Sequence, residues 1–158
     1  MVERLTFAVS ASKLEGRTLS GIAHVYGVVT GPVDTRQMAF QPGAFSESIA
    51  AGKIKSFAWH DNSKLLGSQK AGTLRLTDGA ALGYSIDLSK ATYAEDLRDL
   101  AERGEDLGMS FTVNRLSLVS QVGKGIRIIS KAQLLSVDPV AMPAFEGTSV
   151  ILHSASIT

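Results

Sequence analysis

The sequence predicts an α+β domain in which several antiparallel strands curl into a sheet or small barrel, with a few helices packed beside them. Two observations carry this. Over most of the chain apolar residues recur at alternate positions between Gly, Asp and Asn, the period of a half-buried strand. Two segments depart from that period and show the three- and four-residue spacing of a helix face. The 158 residues, 44% of them hydrophobic, suffice for one core without metal or disulfide, so a single domain over 1–158 is expected.

Within that domain, residues 1–20 read as an N-terminal strand and loop, 21–150 as the main body and 151–158 as a C-terminal end that frays from about Ser154. A short helix is expected from about Gly43 to Ala51, because Phe45 and Ile49 are four apart and Gly52 supplies a stop. Ile54 to Trp59 is strand-like. Leu74 and Leu76 alternate with Arg75 and Thr77, Asp78-Gly79 turns the chain, and Leu82, Tyr84, Ile86 and Leu88 alternate again, which predicts a hairpin. The second helix is Ala91 to Arg103: Ala94, Leu97, Leu100 and Ala101 make its apolar stripe, with Thr92 as N-cap, Glu95 at the capping-box position and Gly104 as stop. A longer hairpin follows, Met109 to Val119, a Gly123-Lys124-Gly125 turn, and Ile126 to Val137, whose more continuously apolar second limb suits a strand covered on both faces.

Composition narrows the function classes. Sixteen Lys and Arg against fifteen Asp and Glu leave a formal charge of +1, too little to hold a nucleic-acid backbone. With no cysteine, and with His24, His60 and His153 far apart in sequence, no metal site is expected, and any nucleophile is Ser, Thr or a carboxylate. No GxGxxG precedes a helix and no P-loop occurs, so no cofactor is expected. The apolar stretch near the N-terminus is shorter than the core of a secretory signal, and no run approaches a membrane span. A soluble cytoplasmic protein without a membrane partner is expected.

Three polar positions stand in apolar surroundings. In FAWHDNSKLLG, a strand-like run delivers His60 to its end, either as an ordinary turn histidine or facing a cleft. In LGMSFTV, Ser110 enters an apolar strand after a Gly, either to satisfy a backbone group or as a rigidly held nucleophile. In LLSVDPVAMPAF, Ser136 and Asp138 interrupt one of the most apolar stretches. A buried Asp138 needs a partner: His60, a Lys or Arg, or backbone amides of a loop opened by Pro139. Ser, His and an acid are the ingredients of a nucleophilic triad. The order Ser110, Asp138, His153 also copies that of an α/β-hydrolase, but the serine is followed by strand-like TVNRLSLV where that fold needs a helix.

In order and spacing the motifs resemble the prohead (capsid maturation) proteases of tailed bacteriophages, from about Gly21 to Val150. They are Pro42-Gly43-Ala44-Phe45 at a helix start, His60-Asp61 followed by Leu66-Gly67, Gly108-Met109-Ser110-Phe111, and a strand ending in Pro143-Ala144. The resemblance implies an assemblin-like fold shared with herpesvirus proteases, a small barrel flanked by helices with residues 21–150 as catalytic core. It implies a serine endopeptidase with Ser110 as nucleophile and His60 as base, active as a homodimer or higher oligomer inside the prohead in the host cytoplasm. Its substrates would be the scaffold or a scaffold-like segment of the major capsid protein, and itself. The third member departs from the family pattern L-x-E-V-S-x-V: Ser136 stands where the acid is expected and Asp138 where serine is expected. Either Asp138 supplies the orienting carboxylate or the triad is incomplete; an incomplete triad would leave a protease-fold component of capsid assembly. Thr112 replaces the Gly often found after Ser-Phe. The chain ends soon after Pro143-Ala144, where such proteases carry a further tail, as a self-processed, truncated or naturally short form would.

Overall fold

The computed structural model describes residues 3–7, 13–29, 37–122 and 125–141. One six-stranded sheet has the order β1 (Glu3–Phe7), β9 (Leu107–Val122), β10 (Ile126–Ala141), β5 (Lys55–Phe57), β6 (Leu65–Ser68), with β4 (Met38–Phe40) also paired to β10. A four-stranded sheet has the order β2 (Lys13–Glu15), β3 (Thr18–Val25), β8 (Ala81–Asp87), β7 (Leu74–Asp78). Leu19, Leu82 and Ile86 of the smaller sheet and Met109, Phe111 and Val113 of the larger are buried in one shared core. An α+β architecture is therefore present. Among the described residues, however, the strands form two sheets and no closed barrel, because no pairing joins the edge strands β1 and β6, or β2 and β7. Alternation along a strand reports which faces are buried, not whether edges meet.

Both predicted hairpins form. Leu74 pairs with Ile86 and Asp78 with Leu82 around the Asp78-Gly79 turn. β9 and β10 pair from Leu107↔Ala141 to Val122↔Ile126; Gly123 and Lys124 of their turn lie outside the described residues. β10 is the centre of its sheet, antiparallel to β9 and parallel to β4 and β5. It also runs straight through Pro139, which pairs with Met109, so the loop expected at that proline does not exist.

The helix α1 is Ser46–Ala51, shorter at its start than the sequence predicts. Gln41 to Ala44 is instead a β-turn closed by Ala44 N–H to Gln41 O at 3.0 Å, with Pro42 at its second position and Gly43, φ +87°, at its third. That is the chemistry of a type II turn, and it explains the Pro-Gly pair before Phe45. Gly52, φ +72°, ends the helix as expected. Tyr26 donates to Asp78 Oδ1 at 2.6 Å and Ser46 to Asp78 Oδ2 at 3.0 Å, tying the helix start to β7. The second helix, α2, is Thr92–Glu102, with Ala94 and Leu97 buried. Its predicted cap differs: Thr92 is helical, Ser89 Oγ accepts the Ala91 N–H at 3.2 Å, and Glu95 is taken by Arg17 from β2–β3. A long-range ion pair displaced the local capping box. Gly104, φ +76°, stops the helix as its sequence position predicts.

Between the β4 and β5 pairings, β10 lacks a strand neighbour on the edge away from β9, and Ala44 with α1 takes that place. Ala44 O accepts from Ala132 N–H at 3.0 Å. Ser48 Oγ accepts from Leu134 N–H at 2.9 Å and donates to Ala132 O at 3.4 Å. These contacts satisfy backbone groups that a central strand cannot leave unpaired.

Candidate active site

β5 lies parallel to β10 with Lys55 beside Ser136, which brings the Phe57 N–H to Asp138 Oδ1 at 2.9 Å. After Phe57 the chain leaves the sheet through a 3-10 turn, Ala58–His60, so the predicted strand ends two residues before Trp59. Trp59 (φ 53°) and His60 (φ 59°) are both left-handed. Two adjacent non-glycine residues in that region are costly, by roughly 1 kcal/mol or more each, and persist only where surroundings enforce them. Here Ala58 N–H donates to Lys64 O at 3.0 Å, Asp61 N–H to Ala58 O at 3.0 Å and Lys64 N–H to Asp61 O at 2.8 Å. Asp61 Oδ1 accepts from Ser63 N–H at 2.9 Å and Ser63 Oγ at 2.6 Å, and these bonds hold its carboxyl below the usual range. The Lys64 ammonium sits 5.8 Å from the centre of the Trp59 ring. Gly67 follows from the same packing: a Cβ there would lie 3.0 Å from Thr73 Oγ1 and 3.1 Å from Thr73 O.

The turn points His60 at β10. Its Nδ1 lies 2.5 Å from Asp138 Oδ2, and Ser136 Oγ donates to the same oxygen at 3.1 Å. Three donors, from Phe57, His60 and Ser136, thus converge on a carboxylate that is 1% exposed, which is the satisfaction a buried acid requires. Because a carboxylate accepts, the imidazole proton belongs on Nδ1, and Nε2 keeps its lone pair.

Ser110 stands directly across the ladder from Asp138. Cross-strand partners share a face, so serine, carboxylate and imidazole occupy the same side of the sheet. On the opposite side Phe111 anchors β9, with its ring 5.1 Å from that of His24 and 5.6 Å from that of Phe40. Ser110 is fully buried, and its hydroxyl makes no hydrogen bond. The imidazole and the carboxylate are therefore joined, and the serine stands across the ladder from that carboxylate, its hydroxyl not bonded to the imidazole.

Of the residues singled out in the sequence, Ser110, His60, Asp138 and Ser136 come together, while His153 and the Pro143-Ala144 pair lie outside the described residues. Thr112 is buried opposite Ser136. No signal in the sequence pointed to the Phe57 N–H donor or to the left-handed Trp59-His60 pair. Nor did it single out His24, which is buried edge-on among Tyr26, Phe40, Phe45 and Phe111, with its imidazole pushed down by burial to about 3. Among the described residues no group of three His, Asp or Glu is placed to hold a metal ion, and no helix is long and apolar enough to cross a membrane.

Residues 6–158 match the family model described as caudovirus prohead serine protease. The fold is similar to the solved structure of the bacteriophage T4 capsid assembly protease, gp21, with a TM-score of 0.61 and 11% identity over 90% of this chain and 98% of that one. A curated relative, the succinoglycan biosynthesis protein ExoO of Rhizobium meliloti (strain 1021), is 28% identical over 114 residues. Those residues are 70% of this chain but only 31% of ExoO.

Proposed function

The chain belongs to the caudovirus prohead serine proteases, and from that premise we propose that it is an active serine endopeptidase with Ser110 as nucleophile, His60 as general base and Asp138 as the orienting acid. The observation that carries this reading is the 2.5 Å contact from His60 Nδ1 to Asp138 Oδ2, made directly opposite Ser110 on the β9–β10 ladder. Asp138 holds the tautomer, Nε2 takes the serine proton as the hydroxyl attacks a peptide carbonyl, and the imidazolium then passes that proton to the leaving amine. The acid acts from the position two residues beyond the one the family pattern uses, and Ser136 at the vacated position becomes a donor to it.

In this reading the substrates are the scaffold or a scaffold-like segment of the major capsid protein, and the enzyme itself, cut inside the assembling prohead in the bacterial cytoplasm. A second reading is a catalytically impaired protease-fold component of capsid assembly. The observation favouring it is the buried Ser110 hydroxyl, which makes no hydrogen bond to the base. The test is incubation with the major capsid protein or scaffold encoded beside it. Ser110→Ala and His60→Ala should abolish cleavage while leaving thermal unfolding close to that of the parent, and near-parental cleavage by either would remove it from the site. Failure of the parent to cleave or to take up a serine-reactive fluorophosphonate favours the second reading.

We also propose that the active form is a homodimer or higher oligomer. Specific activity should then rise with protein concentration, and a flat value across a dilution series that reaches the monomer, checked by sedimentation, rejects this.

A further inference from the structure

On β9, Ser110, Thr112 and Asn114 alternate with the core residues Met109, Phe111 and Val113, so the three polar residues share the other face of the strand. Asp138 stands opposite Ser110, Ser136 opposite Thr112 and Gln133 opposite Asn114. The irregularity in β10 between Leu134 and Ser136 preserves this correspondence: Leu134 stays in the core with Val113, and Gln133 takes the face of Asn114. Gln133 in turn lines a cleft of about 430 Å³ between α1 and the ladder, together with Glu47, Ser48, Arg115, Ser117 and Lys131. Four residues of strand separate Ser110 from that row, a span of about 14 Å.

The charges in the cleft do not cancel. Lys131 Nζ is paired with the Glu47 carboxylate at 2.7 Å, and the Ser48 hydroxyl is engaged with the β10 backbone. Arg115 is exposed and forms no ion pair among the described residues. Its backbone is left-handed, φ +52°. It sits where β9 advances from Asn114 to Ser117 while β10 advances only from Gln133 to Lys131, so it belongs to a bulge. Glycine occupies such a position without strain, whereas a residue with a side chain is strained there. A strained bulge that nonetheless carries a guanidinium, on the lining of a cleft, is a place to look for a ligand.

We propose that this cleft is a substrate subsite for an acidic side chain, with Arg115 as the specificity-determining cation. The proposal rests on the protease reading. An extended peptide advances about 3.3–3.6 Å per residue, so an Asp or Glu that reaches the cleft lies four or five residues from the scissile bond. The guanidinium offers a planar fork matched to a carboxylate, and the Gln133 amide supplies a neutral donor beside it. Lys131, already neutralised by Glu47, sets the rim and leaves Arg115 as the net charge.

Two assays separate the subsite from the catalytic assignment. In the first, decapeptides built around the mapped cleavage site of the capsid substrate carry Asp or Asn at each position on either side of the cut. One position four or five residues away should show an Asp-over-Asn advantage of about tenfold, expressed in KM. Arg115→Gln should bring the ratio close to one, and Arg115→Glu should turn the preference toward Lys. In the second, a random decapeptide library is passed over immobilised Ser110→Ala protein and the retained peptides are sequenced. Enrichment of Asp and Glu that disappears in Ser110→Ala/Arg115→Gln supports the subsite even if the parent cleaves nothing, an outcome that would sink the protease reading alone. Absence of acidic enrichment, or a preference that survives Arg115→Gln in either assay, overturns the subsite.

Discussion

Two histidines near opposite faces of β9 show what separates a candidate base from a core side chain. His24 is fully buried, its ring ringed by Tyr26, Phe40, Phe45 and Phe111, and burial pushes its imidazole down to about 3, so it is neutral at any physiological pH. His60 is 17% exposed, sits on a left-handed turn and shares its Nδ1 with a carboxylate that two further donors hold in place. Burial alone yields a histidine that packs. A fixed tautomer together with an accessible edge is the arrangement on which the base role proposed for His60 rests.

The sharpest way to break this contrast is to remove what distinguishes His60. Asp138→Asn replaces an acceptor with an amide that can hold the wrong tautomer, and turnover of the capsid substrate should fall about 10³–10⁴-fold. If steady-state turnover stays within a few-fold of the parent, the site is a Ser-His dyad and Asp138 is structural.

His24→Leu tests the other half of the contrast, through stability rather than activity. The folded pKa of His24 lies near 3 and the unfolded value near 6.5, so between these the unfolded chain binds the extra proton. Stability from keeping His24 neutral is complete above about pH 6.5 and is lost as pH falls toward 3, by about 2 kcal/mol at pH 5. Urea midpoints of the parent should therefore drop from pH 7 to pH 5 more steeply than those of His24→Leu, while the variant keeps its cleavage activity at pH 7. Parallel midpoint curves would show that His24 is not what destabilises the fold in acid.

The smallest effect is expected at Ser136. Its hydroxyl is one of three donors to Asp138, and Phe57 N–H and His60 remain when it is lost. Ser136→Ala should lower kcat about tenfold, in line with one hydrogen bond to a charged group at the low end, about 1.5 kcal/mol. A loss as large as that of Asp138→Asn would mean that Ser136, and not its neighbour, carries the third role.

Much of the architecture was legible before any coordinates, because it depends on residues close together in the chain. The stop of α2 at Gly104, the Asp78-Gly79 hairpin and the stop of α1 at Gly52 each follow from local backbone chemistry and apolar period. The chemical types at the site were legible too, since Ser110, His60, Ser136 and Asp138 are polar interruptions of apolar runs. Where local signals competed with distant partners they failed: Glu95 was claimed by Arg17, 78 residues away, and left the capping box unmade.

By itself, then, the sequence determined the strand-rich α+β class, the pairing of consecutive strands into hairpins, the stops of both helices and the candidates for chemistry. Only the tertiary structure decided which acid meets His60, a contact across 78 residues, and that Ser110 falls opposite Asp138 and not one residue to either side. Register is the physical reason. A slip of one residue between β9 and β10 would place serine and carboxylate on opposite faces of the sheet, and the bulges and core packing that prevent it are properties of the assembled ladder.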